Sequence, residues 1–371
     1  MKSTSIRLID RALYVGPPGV GKTEIVMQKA KEEAEKFGKI FVDLREADEK
    51  TTENIFAHPE KYYLYYRLIA PHVYPEELSY PEKRTANGTD RAFVDYVPPR
   101  VILAMTAKDI HGVLFIDELS NVQRDDQMSM FYSIIQEKEA AWTIKLSRNI
   151  KIVMASNNAE WSEIARALPK PLRNRCKIYT VSAPSIDEWK DYMVRQYGDA
   201  WEKLCYAYLK TYPFDFIKPP AEDDGFTNFP TPRSWTSLAV LLHELKGQCD
   251  DEFIEETVIG HLGKEVGVKF AALLKTKIDI PAVLEKLRKS PEDFEKLSTN
   301  DKILISDAIA QLGGKTLAEE YSGLLKYMGE KSREFLVLIL VMMPKQERLE
   351  LLRRMQSMAK DVIKVLSSYT A

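Results

Sequence analysis

The hydrophobic pattern changes in character about halfway along the chain. In the first half, short continuous apolar runs alternate with amphipathic stretches. Such runs predict strands buried in a parallel sheet, and the amphipathic stretches predict the helices that connect them. The predicted strands are Arg11–Val15, Lys39–Leu44, His111–Glu118, Lys151–Ala155 and Lys177–Val181. From Ser185 onward the apolar positions recur at helical spacing, which predicts an α/β core over residues 1–182 and a helical region over residues 183–371.

Several helices have ends that the sequence marks. Gly38 predicts the end of the helix that starts at Glu24, because glycine favours the left-handed conformation found there. Ser185, with Glu188 three residues later, predicts a capping box at the first helix of the second half. Further helices are predicted over residues 125–136, 301–311, 317–328, 333–343 and 346–366, and a small hairpin over residues 137–146.

Residues 45–99 interrupt the regular pattern. This segment is rich in Tyr and Pro and gives no clear strand or helix. A loop of this length inside a compact domain is usually functional or disordered, and the aromatic content argues against disorder. Two roles remain open: an insertion that contacts a partner or substrate, and a packed loop whose tyrosines cover the core. We expect the second role for most of the tyrosines.

The strongest chemical signal is a complete phosphate-loop motif, G-x-x-x-x-G-K-[ST], between a predicted strand and a predicted helix. The motif consists of Gly16, Pro17, Pro18, Gly19, Val20, Gly21, Lys22 and Thr23. We expect its glycines to take positive φ and to let backbone N–H groups approach an anion. Lys22 is expected to reach the β- and γ-phosphates and Thr23 to hold Mg²⁺, and Glu24 is counted with the nucleotide-binding residues.

A second signal lies where two predicted strands end. The strand from His111 runs into Asp117 and Glu118, which places two carboxylates at the edge where α/β sheets bind ligands. Asp117 is expected to hold Mg²⁺ through water, and Glu118 to orient or deprotonate the attacking water. The strand that ends near Ala155 is followed by Asn157 and Asn158, whose amides could contact the γ-phosphate or that water.

Three arginines could act on a phosphate from further along the chain. Arg173 and Arg175 precede the last predicted strand, where a guanidinium could stabilise transition-state charge on a neighbouring subunit's nucleotide. Ordinary surface ion pairs are the alternative for both. Arg233 lies in the first turn of a predicted helix, where the macrodipole disfavours a cation, and an anionic partner such as a phosphate would account for it.

The composition narrows the class of protein further. Over 371 residues, the chain is 45% hydrophobic and 29% charged, as in ordinary globular proteins. A net charge of -2 and the lack of a basic tail argue against nucleic acid as the main partner. The longest apolar run, near residues 335–343, is too short to span a membrane. The first residues lack the apolar core of a signal peptide and the three cysteines are scattered, so we expect a cytoplasmic protein.

Taken together, the motifs resemble the AAA+ ATPases. Walker A corresponds to residues 16–23, Walker B to 114–118, sensor 1 to Asn158, the arginine finger to Arg175 or Arg173, and sensor 2 to Arg233. Their order and spacing agree with the family from about residue 8 to about residue 250. The resemblance implies an α/β parallel-sheet P-loop NTPase core with a helical lid and a C-terminal helical region. It also implies ATP or ADP with Mg²⁺ in a homo-hexameric ring, with Arg175 acting in trans.

Within that class the chain resembles the MoxR-like branch. The resemblance rests on Val42–Arg45, on Val97–Arg100 and on the hairpin over 137–146. It implies a chaperone-like motor that hydrolyses ATP to remodel or assemble protein complexes, with an unknown client near the 45–99 insertion. Two alternatives remain open. The first is a nucleic-acid motor or loader, because the residues Leu172–Cys176 are also similar to those of clamp-loader subunits. The second is a scaffold that binds ATP without turnover, and the presence of Glu118 argues against it.

Overall fold

The protein is described here from a computed structural model. The structure describes residue 2 and residues 5–85, 91–141, 144–157, 165–219, 227–246, 248–276 and 278–355. The chain divides into two compact units, Met1–Pro184 and Ser185–Ala371. The first unit holds the β-strands, and the described part of the second unit is built from helices. This arrangement confirms the predicted fold class.

The described residues of the first unit form ten strands and five helices. The strands are β1 (Ala12–Val15), β2 (Ile40–Asp43), β3 (Tyr62–Ile69), β4 (Tyr80–Thr85), β5 (Ala92–Val97), β6 (His111–Asp117), β7 (Glu139–Ala141), β8 (Ile144–Lys145), β9 (Ile150–Ser156) and β10 (Lys177–Thr180). The helices are α1 (Lys22–Lys36), α2 (Glu49–Ala57), α3 (Arg100–Ala104), α4 (Asp125–Glu137) and α5 (Lys170–Arg173).

Six of the strands form one parallel sheet in the order β10-β1-β9-β6-β3-β2. The carboxyl ends of β1, β6 and β9 therefore lie at the same edge of the sheet. These are the strand ends at which the sequence predicts the chemically important residues. The remaining strands pair as two antiparallel hairpins, β4–β5 and β7–β8. The second of these confirms the hairpin predicted over residues 137–146.

The sheet has one strand that the sequence did not predict. Strand β3 lies between β2 and the central strand β6, inside the segment interpreted as a long loop. That interpretation is wrong for residues 62–69, whose aromatic residues fit a pleated sheet better than a loop. Because β3 intervenes, β2 becomes the edge strand and none of its residues is buried, so the prediction that β2 is a buried strand is also wrong.

Two tyrosines of β3 are fully buried, as expected for tyrosines that cover the core, but their hydroxyl groups differ. The Tyr63 hydroxyl donates to Glu33 of α1 over 2.7 Å, and Lys151 of β9 pairs with the same carboxylate at 2.7 Å. The Tyr65 hydroxyl is buried and bonds to no other described residue. Burial raises the pKa of both phenols. Tyr63 therefore fastens β3 to α1, whereas the Tyr65 hydroxyl is a buried group without compensation.

The second unit is a set of helices around its own core. They are α6 (Ile186–Tyr197), α7 (Leu204–Thr211), α8 (Pro232–Leu245), α9 (Asp251–Lys275), α10 (Ile280–Lys289), α11 (Thr299–Gln311), α12 (Gly314–Glu320), α13 (Ser322–Lys331), α14 (Arg333–Met342) and α15 (Lys345–Met355). The predicted capping box of Ser185 and Glu188 is confirmed at the start of α6. The prediction of a single helix over residues 317–328 is wrong, because the helical conformation is interrupted at Tyr321, between α12 and α13.

An aromatic cluster fixes three helices of this unit. The Phe270 ring of α9 lies 5.0 Å from the Tyr208 ring of α7 and 5.3 Å from the Trp235 ring of α8, between centroids. The polar ends of Tyr208 and Trp235 both bond to Asp215, so large rings are buried without unpaired polar atoms.

No helix within the described ranges has both the length and the apolar character needed to cross a membrane.

The two tyrosines give a matched pair of substitutions on one strand. Tyr63→Phe removes a hydrogen bond to a charged carboxylate, so we expect it to lower the free energy of unfolding by about 1.5–3 kcal/mol. Tyr65→Phe removes an unbonded hydroxyl, and we expect the free energy of unfolding to stay unchanged or to rise by up to about 1 kcal/mol. Urea unfolding of both variants measures the difference. Equal losses in the two variants would contradict the assignment of Tyr63 as the fastening residue.

Candidate functional site

The phosphate loop follows β1 and depends on its glycines in two different ways. Gly19 and Gly21 have φ values of 68° and 83°, so the expectation of positive φ is confirmed for both. Gly16 does not have positive φ, and the expectation is wrong there. Instead, a Cβ atom at position 16 would lie 2.2 Å from the carbonyl oxygen of Val181. The first glycine is therefore required by the close approach of the chain just after β10.

Helix α1 begins directly after the loop and no side chain caps it. Its first N–H groups, together with the positive end of the helix dipole, form a site suited to an anion. Lys22 is 8% exposed, and its Nζ atom donates to the carbonyls of Gly16 and Pro17 over 2.9 and 2.7 Å. The ammonium group is therefore held against the loop. Glu24, on the same first turn, is exposed.

Asp117, at the end of β6, is the hub of this site. Its Oδ2 atom accepts a hydrogen bond from the Thr23 hydroxyl over 2.8 Å, and its Oδ1 atom accepts one from the backbone N–H of Glu118 over 3.0 Å. Asp117 is 6% exposed, so a charge buried at this depth needs these partners. The contact with Thr23 joins the loop to the acidic end of the strand.

A third partner of Asp117 is a residue that the sequence analysis missed. The Nε and Nη2 atoms of Arg67, on β3, lie 3.0 and 2.8 Å from Asp117 Oδ2. No motif contains Arg67, and the residue lies in the strand that was interpreted as a loop. The one available signal was an arginine in a run of aromatic residues, which is costly unless the charge has a partner.

Glu118 has a backbone conformation that is uncommon for its residue type. Its φ and ψ are 58° and 33°, in the left-handed region, which costs of order 1–3 kcal/mol for a residue with a side chain. The Asn121 side chain donates to Glu118 Oε2 over 3.3 Å. Such strain is concentrated at functional sites, because the surrounding structure holds the residue in place. The Glu118 carboxylate thus belongs to the turn after β6, where it contacts Asn121.

Of the two asparagines after β9, Asn158 lies outside the described residues. Asn157 is described, and its Oδ1 atom accepts a hydrogen bond from Lys22 Nζ over 3.0 Å. The turn after β6 is tied to this strand end, because Ser120 donates to Ser156 and to the Asn157 carbonyl. The structure therefore brings the ends of β6 and β9 and the phosphate loop into direct contact.

Two of the predicted arginines lie in or just after α5, and the third lies in the first turn of a helix of the second unit. Arg175 is exposed after α5; its Nη1 atom donates to the Pro171 carbonyl over 2.9 Å and its guanidinium lies 5.3 Å from the Tyr132 ring. Arg173 is also exposed, at the end of α5. Arg233 is exposed in the first turn of α8, in the second unit. Among the described contacts of the first unit, none joins Arg173 or Arg175 to the residues around Asp117.

The residues present fit a magnesium-bound nucleotide phosphate. The uncapped helix start and the Lys22 ammonium suit phosphate oxygens, while the Thr23 hydroxyl and the Asp117 carboxylate supply oxygen ligands of the kind that Mg²⁺ prefers. No group of three or more His, Cys, Asp or Glu side chains suited to a metal ion occurs among the described residues. Mg²⁺ is usually held by one or two protein ligands together with substrate phosphates and water.

A separate cavity of about 590 Å³ lies in the helical unit. Its lining carries charges of both signs, including Lys203, Lys246, Glu202 and Asp307. Burial, followed by the nearby charge of Glu202, raises the pKa of Asp307 to about 6. Since this lining contains none of the predicted site residues, the cavity is not part of the phosphate site.

Comparison with known proteins agrees with this geometry. Residues 12–182 match the model of the family described as "ATPase family associated with various cellular activities (AAA)". This range runs from β1 to just beyond β10 and contains the loop and the ends of β6 and β9. The phosphate loop and the parallel sheet define a P-loop nucleotide-binding fold. Residues 12–182 are therefore similar to an AAA ATPase domain.

Three solved structures are similar at low identity. The Orc1 protein of Aeropyrum pernix in complex with DNA is 14% identical, with 82% of this chain and 65% of that one covered and a TM-score of 0.31. Hsp104 with ATPγS and FITC casein is 13% identical, with 81% and 45% covered and a TM-score of 0.35. A putative ATPase from Cytophaga hutchinsonii is 13% identical, with 71% and 75% covered and a TM-score of 0.29. The chain thus spans less than two thirds of the first two structures. No curated protein gives a significant match.

The close approach of the Val181 carbonyl to Gly16 predicts that alanine is more destabilising at position 16 than at a glycine with open space around it. Gly16→Ala places a Cβ atom against a backbone carbonyl, so we expect the free energy of unfolding to fall by about 1–3 kcal/mol. Gly260→Ala, in α9, places its Cβ in open space and is the control; we expect it to be neutral or stabilising by up to about 1 kcal/mol. Urea unfolding measures both. A Gly16→Ala variant as stable as the wild type would contradict the packing described.

Proposed function

We propose that this protein hydrolyses ATP with Mg²⁺ and uses the energy to remodel or assemble protein complexes, as a MoxR-like AAA+ motor in a hexameric ring. The observation that carries the proposal is the convergence of Lys22, Thr23, Asp117 and Asn157 through hydrogen bonds of 2.8–3.0 Å. These contacts join two strand ends and one helix start. Each residue supplies a group that phosphoryl transfer requires.

The first part of the mechanism is capture of the triphosphate. Lys22 exchanges its bonds with the carbonyls of Gly16 and Pro17 for bonds with the β- and γ-phosphates, while the N–H groups at the start of α1 bind the same anion. The Thr23 hydroxyl and Asp117 hold Mg²⁺. A bound Mg²⁺ ion would neutralise the negative charge that develops on the phosphates during the reaction.

The second part is activation of water. Glu118 accepts a proton from the attacking water, and its strained left-handed backbone at the end of β6 supports a functional role. Asn158 or its neighbour Asn157 orients the γ-phosphate or the water, and the Asn157 amide contacts Lys22. Together these residues position reactants whose chemistry needs little covalent help from the protein.

The branch and the client-facing surface are supported by separate features. The stretches Val42–Arg45 and Val97–Arg100 and the β7–β8 hairpin resemble those of MoxR-like proteins. The β4–β5 hairpin, in the segment proposed to face the client, exposes large apolar side chains, which mark interaction surfaces when they cluster. They are Tyr80, Phe93, Val94 and Tyr96, each between 36% and 58% exposed.

The proposed division of labour is tested at Glu118. Glu118→Gln removes the base and keeps the shape of the side chain, so we expect ATP turnover to fall by 10²–10⁴-fold while ATP affinity changes by less than about threefold. Steady-state phosphate release and equilibrium binding measure the two quantities. Glu49→Gln, at an exposed position, is the control and should retain wild-type turnover. Undiminished turnover in Glu118→Gln would contradict the proposed mechanism.

The trans role of Arg175 is tested by mixing two inactive variants. Lys22→Ala should abolish phosphate binding, and Arg175→Ala should lower turnover by about 10³–10⁵-fold, as expected for an arginine finger. When the two purified variants are mixed, some interfaces combine an intact loop with an intact arginine. We therefore expect turnover to reappear on mixing. A mixture as inactive as its components would argue against a site shared between subunits, and the same experiment with Arg173→Ala identifies which arginine acts.

A further inference from the structure

The guanidinium of Arg67 occupies a position that the proposed ATPase mechanism does not use. In the β3–β6 register, Arg67 pairs with Phe115, and Asp117 lies two residues beyond Phe115. Residues two apart on a strand share a face, so Arg67 and Asp117 are diagonal neighbours on the same side of the sheet. The Arg67 side chain is 25% exposed and that of Asp117 is 8% exposed, so this ion pair is shielded from solvent.

The contacts at Asp117 Oδ2 saturate that oxygen atom. It accepts from the Thr23 hydroxyl over 2.8 Å and lies 3.0 Å from Nε and 2.8 Å from Nη2 of Arg67. A carboxylate offers about two lone-pair sites on each oxygen. A water molecule bound to a metal beside Thr23 would compete with Arg67 for this oxygen atom.

Charge adds to this competition. A guanidinium in contact with a carboxylate neutralises the negative charge that would attract a divalent cation, and the two cations repel each other at short range. Low exposure weakens the screening of both effects by solvent and salt. The Thr23–Asp117 bond itself is compatible with a metal, because the hydroxyl oxygen keeps its lone pairs while its hydrogen is donated.

We propose that Arg67 is a built-in counter-cation of Asp117 that Mg²⁺ must displace when nucleotide binds, so that Arg67 sets the metal dependence of the site. Arg67 is thereby a positioning residue. It orients the buried carboxylate when no nucleotide is bound, and it weakens the coupling between Mg²⁺ and nucleotide. The inference rests on the proposed nucleotide site and adds a regulatory element to it.

The test compares ADP affinity in Mg²⁺ with ADP affinity in EDTA, measured with a fluorescent ADP. The ratio of the two affinities reports the coupling between metal and nucleotide. General damage to the loop affects both affinities and therefore largely cancels in the ratio. We expect Arg67→Gln to raise this ratio about tenfold over the wild type, within the usual range of coupling between two ligands. Arg67→Lys, which keeps the charge but loses the forked contact, should give an intermediate ratio.

The chain offers a matched control in Arg45. Its Nε atom donates to Asp43 over 3.0 Å, and its guanidinium lies 5.9 Å from the Tyr65 ring, at the same edge of the sheet as Arg67. Arg45→Gln therefore removes one positive charge nearby without a contact to Asp117, and we expect it to leave the ratio unchanged. An unchanged or smaller ratio in Arg67→Gln, or an equal rise in Arg45→Gln, overturns the proposal.

A second measurement separates this inference from the proposed function. Electron paramagnetic resonance of free Mn²⁺ reports metal binding to the full chain without nucleotide, and we expect Arg67→Gln to bind Mn²⁺ about tenfold more tightly than the wild type. Failure of the wild type to bind ADP in either medium would contradict the nucleotide site itself. Equal Mn²⁺ affinity in the two proteins would contradict the role of Arg67, whatever the outcome for ADP.

Discussion

The hydrogen bond from Thr23 to Asp117 joins the first turn of helix α1 to the end of strand β6, and the geometry of the site depends on it. The two residues are far apart in sequence, and their 2.8 Å contact requires that β1 and β6 be held in one sheet with β9 between them. Asp117 is almost fully buried, so its charge has to be met by neighbouring donors. The sheet order and the burial of this one carboxylate therefore constrain each other.

Two residues of this arrangement are held in energetically unfavourable states by the structure around them. Glu118 is held in the left-handed region, and Lys22 is nearly buried with its ammonium bonded to loop carbonyls and to Asn157. Groups held in this way need little reorganisation when charge develops near them, which is the main electrostatic advantage of a preformed site. Strand β3 contributes as well, because it is anchored to α1 by Tyr63 and carries Arg67 to Asp117.

Most of the sheet could be predicted because its strands are short apolar runs with clear ends. Strands β1, β6, β9 and β10 and the loop before α1 have such signals, and the loop motif fixes the identity of nearly every residue that matters. Strand β3 could not be recognised, since its run of tyrosines around Arg67 lacks both an apolar core and regular alternation. The edge position of β2 follows from β3 and was inaccessible for the same reason.

The contacts of Arg67 show a more general limit of sequence reasoning. A motif specifies residues that recur at fixed spacing, whereas Arg67 meets Asp117 only through the register of two neighbouring strands. The role of Gly16 is a similar case, because its lack of a side chain is required by the nearby Val181 carbonyl and not by its own backbone angles. Both features depend on tertiary packing. Residues that meet only through packing have no fixed spacing along the chain, so a sequence motif does not reveal them.

The most direct test of the central claim is a crystal structure with Mn²⁺ and a non-hydrolysable ATP analogue, in which anomalous scattering locates the metal. The account predicts one Mn²⁺ ion next to the Thr23 hydroxyl and within one water of Asp117, with the β- and γ-phosphates against Lys22 and the start of α1. A metal bound elsewhere, or phosphates that lie outside the loop between β1 and α1, would contradict it.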